Sequence, residues 1–388
     1  QSTYARDPQG WNGLDRADVF VTSHTLFRID CEHWKNRELA GVVIDDAQAA
    51  KNPRTQLYRY LKDLPVAWRV CISGTPIENS LEDLWSLMSL AVPGLLSSRS
   101  SFNEKFRRPI EAGRSPDLLN LLHSLIAPFV LRRTKEEVAP ELPERVETLL
   151  PVPLGRKQRQ IYDRYLTRER ARLLHLELEN DTRERFEVLA ALTRLRQLSL
   201  DPALVDQRYD SVGSAKIDLL CEHLEQILPL GHKVLVFSQF VAFLERIRRS
   251  LDQRGIHSLL LEGKTRNRHE LIDEFQHGDV QVFLISLKAG GVGLTLTQAD
   301  YVYMMDPWWN PSVEAQAVNR AHRIGQDRRV NVYRLVAQDT IEEKVCQLQA
   351  HKQLLVDSVV GQNLGEGRSS ADIQQLLKLI QEDRDERV

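Results

Sequence analysis

Residues 280–306 read VQVFLISLKAGGVGLTLTQADYVYMMD. Two short apolar runs rich in branched and aromatic residues, VQVFLIS and YVYMMD, flank a glycine-rich polar turn, the pattern of buried parallel strands whose turns open at one sheet edge. Working outward, KVLVFSQ (233–239) and VNVYRLV (330–336) repeat the pattern nearby, and DVFVTSH (18–24), GVVIDDA (41–47) and WRVCISG (68–74) form a second cluster. Between the clusters, residues 97–230 hold few strand candidates and many charged amphipathic stretches. LTRERARLLHLELENDTRERFEVLAALTRLRQL (166–198) reads as helix, with its charges taken as a solvated face. The expected fold class is α/β: two parallel-sheet lobes joined by a helical insertion, the first lobe incomplete at its N-terminus. We assign 1–96 to the C-terminal part of the first lobe, 97–205 to a helical insertion and linker, 206–365 to the second lobe and 366–388 to a helical tail. Within the tail, Ser369 and Asp372 stand at capping-box spacing before IQQLLKLI and predict a helix over 370–381.

Composition narrows the function classes. The 388 residues carry 52 Lys and Arg against 54 Asp and Glu, a net charge of −2, so any nucleic-acid contact must come from a local basic surface. Cys31, Cys71, Cys221 and Cys346 are scattered without metal-ligand spacing, which argues against a zinc site or a disulfide framework and for a reducing, intracellular setting. No apolar run approaches the ~20 residues of a membrane helix. The chain opens on Gln1 and reads as a piece of a longer protein.

Several segments carry chemistry. In VVIDDAQAAKNP (42–53), Asp45 and Asp46 follow an apolar strand, at the carboxyl edge where nucleotides and magnesium collect in parallel sheets; two aspartates after a buried strand also mark an ordinary turn. CISGTPIENSLEDLWSLM (71–88) reads strand, small polar turn, amphipathic helix, and the turn at Gly74 and Thr75 suits a sensor of phosphate state as well as a bland connection. In SLKAGGVGLTL (286–296), Gly290, Gly291 and Gly293 permit positive φ and close approach of backbone N–H groups to a phosphate, with Ser286 and Lys288 adding a hydroxyl and a charge. Arg320 and Arg323 in QAVNRAHRIGQ (316–326) are three apart, so on a helix they share a face.

PFVLRRTKEEVAPELPERVE (128–147) resembles a signature segment of the SWI/SNF-like ATPases, duplex-DNA translocases of helicase superfamily two. The other segments fall into that family's order: 42–53 resembles the Walker B motif and 71–76 motif three, while 233–240, 286–296 and 316–326 resemble motifs four, five and six. DVFVTSHTLFRID (18–30) and MDPWWNPSVEAQA (305–317) also fit, so the resemblance runs from about residue 18 to 350. It implies two RecA-like lobes, ATP and Mg2+ as cofactors, and duplex DNA as partner, with a nucleoprotein target and a monomeric motor. It casts Asp45 as the magnesium ligand, Asp46 as the group that activates water, and Arg320 and Arg323 as arginine fingers. Gln48, Gly74, Thr75, Gly291, Gly293 and Gln326 would line the nucleotide. Thr22, Ser23, Arg132, Arg133, Lys135, Ser286 and Lys288 would meet DNA, although the cations of 132–135 suit an ion-pair cluster between lobes equally well. The two tryptophans, Trp308 and Trp309, are read as packing.

The sequence departs from that family in three respects. It contains no GxxxxGK[ST] phosphate-gripping loop; the sole GKT, at 263–265, has Ser258 in place of the first glycine. ATP binding by this chain alone is therefore expected to be weak. Asp46 stands where the family usually has glutamate, and one methylene less at a catalytic carboxylate can cost on the order of 10²-fold in rate. Thr295 and SLDP (199–202) replace the family's usual asparagine and Cys-Asn-His-Pro turn, departures that lean towards a prokaryotic member and a cytoplasmic, nucleoid location, with the nucleus as the alternative in a eukaryote.

Overall fold

The structure, a computed structural model, describes residues 17–77, 80–112, 116–173, 182–289 and 294–360. The chain forms two compact units, the first ending at Leu131 and the second running from Arg132 to Gln353. The expected tail helix at 370–381 lies outside the described residues.

In the first unit, β1 (Leu39–Ile44) and β2 (Val66–Cys71) pair in parallel, with Gly41 opposite Trp68 and Ile44 opposite Cys71. Glycine is required at 41, because a Cβ there would lie 2.1 Å from the indole of Trp68. One core joins Ile44 to Tyr58 and Leu61 of the helix Gln56–Asp63 and to Leu87 and Leu90 of the helix Leu81–Ala91. A second core lies beneath Leu81, Leu84, Trp85 and Met88, the face that the sequence assigned to packing. Ser80 caps that helix and Asp83 closes the capping box. The strand expected at 18–24 does not form. That segment is unpaired among the described residues, Val19 and Val21 are 79% and 95% exposed, and the Ser23 hydroxyl caps the helix His24–Ile29 by accepting from Leu26 N.

The second unit is a six-stranded, wholly parallel sheet. Its strands are β3 (Arg145–Val152), β4 (Val234–Ser238), β5 (Ser258–Leu261), β6 (Val282–Ser286), β7 (Tyr301–Met304) and β8 (Val330–Ala337), in the order β3-β8-β7-β4-β6-β5. Alternation sorts the two faces. Val234, Val236, Val282 and Leu284 pack on the helices Ala215–Ile227 and Val241–Gln253, while Leu235, Phe237, Phe283 and Ile285 pack on the helices Arg268–His277 and Pro311–Val318. Each such fully buried side chain contributes about 1.5–3 kcal/mol. Within 97–205, read as a helical insertion and linker, the structure adds a strand: RVETLLPV is the edge strand of the second sheet. One partner and a half-solvated face suit its alternating charged and apolar residues, which do not look like a buried run.

The helices Arg156–Leu173 and Thr182–Leu200 confirm the helical reading on either side of residues that are not described. Their charges are not all solvated. Arg194 makes a bidentate pair with buried Glu169 at 2.8 and 2.9 Å, and Arg196 is only 3% exposed. Lys216, wholly buried, donates to Glu342 Oε2 at 2.6 Å and to the carbonyls of Met305 and Leu335 at 2.6 and 2.8 Å. Glu342 also accepts from Ser199 Oγ and Ala337 N, both at 2.8 Å. Lys216→Met should therefore lower the stability of this unit in urea unfolding by about 3–5 kcal/mol, because it strands a buried carboxylate. Adding Glu342→Gln to the same protein should recover part of that loss.

Candidate nucleotide-handling residues

In the first unit the acid pair follows directly from the end of β1. Asp46 adopts the left-handed conformation, φ 48 and ψ 46, which aspartate tolerates better than most residues, and its N–H donates to Asp45 Oδ1 at 3.0 Å. Both carboxylates are exposed. Gln48 bridges outward from them: its Nε2 donates to Asp46 Oδ1 at 3.1 Å, while its Oε1 accepts from Ser73 Oγ at 2.8 Å. Ser73 Oγ in turn accepts from Thr75 N at 3.0 Å. Backbone bonds Ile72 N to Ile44 O and Ala47 N to Ile72 O, both 2.9 Å, extend the β1–β2 pairing into these loops. The acid pair and the Ser-Gly-Thr-Pro turn are thus one hydrogen-bonded unit. Asp45 is a hard oxygen ligand at the carboxyl end of a strand, and magnesium commonly takes one or two protein carboxylates beside substrate phosphates, so the donor fits that ion. Thr75 is buried, Gly74 faces open space, and Thr22 is exposed beside the cap residue Ser23.

In the second unit the sequence segments converge at the carboxyl ends of β4, β6 and β7. Asp306, just past β7, accepts from Ser238 Oγ at 2.6 Å and Gln239 N at 3.2 Å, and pairs with Arg196 at 3.3 Å. Burial pushes its carboxyl above the usual range, against the pull of Arg196 beside it. The Arg196 guanidinium lies 5.0 Å from the Trp309 ring and 5.6 Å from each of the Trp308 and Phe240 rings, an aromatic cage around a buried cation. Trp308 N donates to buried Glu314 at 2.6 Å. Both tryptophans pack, as the sequence suggested.

Arg320 is 8% exposed, with its Nη1 3.5 Å from Leu294 O, while its own carbonyl accepts from Leu296 N at 3.0 Å. Arg323 is exposed and reaches Thr295 Oγ1 at 3.4 Å. Three expected ligand contacts take a different form. Gln326 is buried, its amide donating to Ala299 O at 2.8 Å and Ala321 O at 3.1 Å and accepting from Arg328 N at 2.9 Å, so it closes the turn at Gly325 (φ 98) and turns no group outward. Ser286 is 2% exposed at the end of β6. Lys135 Nζ donates inward to Asn319 Oδ1 and His322 O, both at 2.7 Å. Lys288, Arg132 and Arg133 are exposed. Gly291 and Gly293 lie outside the described residues.

Sequence reasoning missed Ser73, Arg196, Lys216, Asn319 and His322. Ser73 was within reach, since it sits in the same Ser-Gly-Thr-Pro turn; the others look like ordinary helix-surface residues until the helices are packed. All four cysteines are free, and burial pushes the Cys71 and Cys346 thiols up to about 11, away from thiolate chemistry. Among the described residues no cluster of three or more His, Cys, Asp or Glu could hold a metal, and no helix is long and apolar enough to cross a membrane.

An acid pair wired to a polar turn, together with a parallel sheet bearing arginines beyond its carboxyl edge, is the α/β arrangement of helicase-type proteins. The chain belongs to the SNF2-related family of helicase superfamily two: the SNF2-related domain matches residues 7–204 and the helicase conserved C-terminal domain residues 215–325. It is 33% identical over 94% of its length to an uncharacterised ATP-dependent helicase of Mycoplasma pneumoniae, covering 35% of that protein. It is 35% identical over 89% of its length to the putative ATP-dependent helicase/translocase YwqA of Bacillus subtilis, covering 38% of it. It is 33% identical over 94% of its length to chromodomain-helicase-DNA-binding protein 1-like of Danio rerio, covering 36% of it. The chain thus spans little more than a third of each of these relatives. The α/β class expected from the sequence is the one observed, with a parallel sheet in each unit.

Arg196→Lys keeps the charge but loses the planar stack on the aromatic rings and the Nη2 that donates to both Asp306 and Pro307 O. It should lower the stability of the second unit by about 1–3 kcal/mol in urea unfolding, with a red shift in tryptophan emission as Trp308 and Trp309 lose their packing partner.

Proposed function

We propose that the protein containing this chain is an ATP-dependent motor that moves along duplex DNA without separating its strands. The observation that carries this reading is the hydrogen-bonded link Asp46–Gln48–Ser73–Thr75, which ties the acid pair to the turn that would sense the phosphates. The relatives named helicase, translocase and DNA-binding proteins support it.

In this reading Asp45 holds a magnesium ion, which supplies neutralisation of phosphate charge. Asp46, steadied by Gln48, accepts a proton from the attacking water, and the loss of phosphate charge passes through Ser73 to Thr75 and the helix Leu81–Ala91. Arg320 and Arg323 stabilise charge on the transferring phosphoryl group. Exposed Lys288, Arg132 and Arg133 meet the DNA backbone, and such contacts hold position without reading sequence. The target is a nucleoprotein complex, the motor works as a monomer, and its location is intracellular, at the nucleoid in a prokaryote.

A second reading, a catalytically silent scaffold that binds DNA or protein, is favoured by Asp46 in place of glutamate. ATP turnover by the full-length protein, with and without duplex DNA, separates the two. The motor reading expects turnover stimulated by duplex, abolished in Asp45→Asn and reduced on the order of 10³-fold in Arg323→Ala. Background turnover that rises only in Asp46→Glu would identify a silenced motor. Background in both leaves the scaffold, and unwinding of a forked duplex would replace translocation with strand separation.

A further inference from the structure

We propose that Lys135 is a positioning residue for the arginine-bearing turn 319–326, its ammonium holding that turn in the form that hydrolysis requires. The inference rests on the finger role given to Arg320 and Arg323 above.

The turn begins where the helix Pro311–Val318 ends, with Asn319 as its C-cap. Lys135 Nζ donates to the Asn319 side chain and to the His322 carbonyl, both at 2.7 Å. One cation thus joins the residue before Arg320 to the residue before Arg323. A cation at this end of a helix also meets the negative end of its dipole. The backbone that delivers the lysine is itself fixed: Thr134 N donates to Glu137 Oε2 at 2.8 Å, closing a capping box around Lys135.

Eight residues further on the same segment touches the turn again, where His322 Nε2 and Pro143 O are 2.8 Å apart and the imidazole nitrogen donates. Val330 N then donates to Glu144 O at 3.1 Å, and β3 runs on beside β8. Residues 135–144 are therefore a strap along the turn, pinned at both ends. Gln326 closes the turn from within, so without Lys135 the stretch 319–323 keeps its far anchor and loses the near one. The two arginines then lose register with each other while the sheet beneath them stays intact. Displacing a charge-stabilising group by about 1 Å lowers the rate on the order of 10²-fold without touching ground-state binding.

The test is steady-state ATP turnover by the full-length protein with saturating duplex, comparing wild type, Lys135→Met, Lys135→Arg, Arg323→Ala and the double variant Lys135→Met/Arg323→Ala. Lys135→Met should lower kcat about 10²-fold while KM for ATP and for DNA moves less than about threefold. Lys135→Arg, with donors for both acceptors, should recover most of the loss. In the double variant the two losses should combine to clearly less than their product, because part of the lysine's effect passes through Arg323 and only the part through Arg320 remains.

Unchanged kcat in Lys135→Met, with Arg323→Ala impaired, would overturn the role of Lys135 and leave the fingers standing. A raised KM for DNA and an altered salt dependence at constant kcat would overturn it in favour of a direct backbone contact. Additive losses in the double variant, with a lowered melting temperature and no recovery in Lys135→Arg, would reduce the lysine to general stability. If Arg320→Ala and Arg323→Ala both turn over like wild type, the finger reading falls and this inference falls with it.

Discussion

The wholly buried pair Lys216–Glu342 is the constraint on which the second unit turns. An ammonium and a carboxylate with no exposure survive only if every lone pair and proton is matched, and here the partners are structural. The lysine takes carbonyls from the ends of β7 and β8, while the glutamate takes the Ala337 amide and the Ser199 hydroxyl. Five elements, the strands β7 and β8 and the helices bearing Ser199, Lys216 and Glu342, are therefore held at one point beneath the carboxyl edge of the sheet. Arg196 and Asp306 continue that polar core, and the tryptophans close over it. The loop 305–309 is anchored in desolvated charge.

The arginine-bearing turn has anchors of its own. It is held by bonds of three kinds: amide contacts from Gln326 inside, backbone pairing of Arg320 with Leu296, and the strap of Lys135 and Pro143. Arg320 is thereby buried and fixed, whereas Arg323 stays at the surface with a single long contact to Thr295. Two arginines three residues apart thus differ in setting, one enclosed by the fold and one open to solvent.

The first unit solves a smaller problem with hydrogen bonds alone. Gln48 can give to Asp46 and take from Ser73 at once because an amide is both donor and acceptor. A carboxylate or an ammonium at the same position could do only half of that. The left-handed backbone at Asp46 brings the acid over the short helical turn that carries Gln48, which is a physical reason for a shorter acid there.

Much was legible without coordinates. The buried strands announce themselves because a strand covered on both faces must be apolar along its whole length, and β4 and β6 are. The order of motif segments fixed the family, and the acid pair fell at a strand end as expected. What stayed hidden depends on neighbours that are distant in the chain. The edge strand β3 has only one sheet partner and carries charges, so it does not read as a strand. The segment 18–24 has a strand's composition and no described partner, and composition does not supply one. Arg196 and Lys216 look like solvated helix charges until packing puts them inside. Lys135 and Gln326 look like ligand contacts until the turn folds against them and takes up the hydrogen bonds a ligand would have needed. Sequence sets which groups a residue can offer; only the tertiary structure decides whether those groups are spent inside the fold or left to meet a partner.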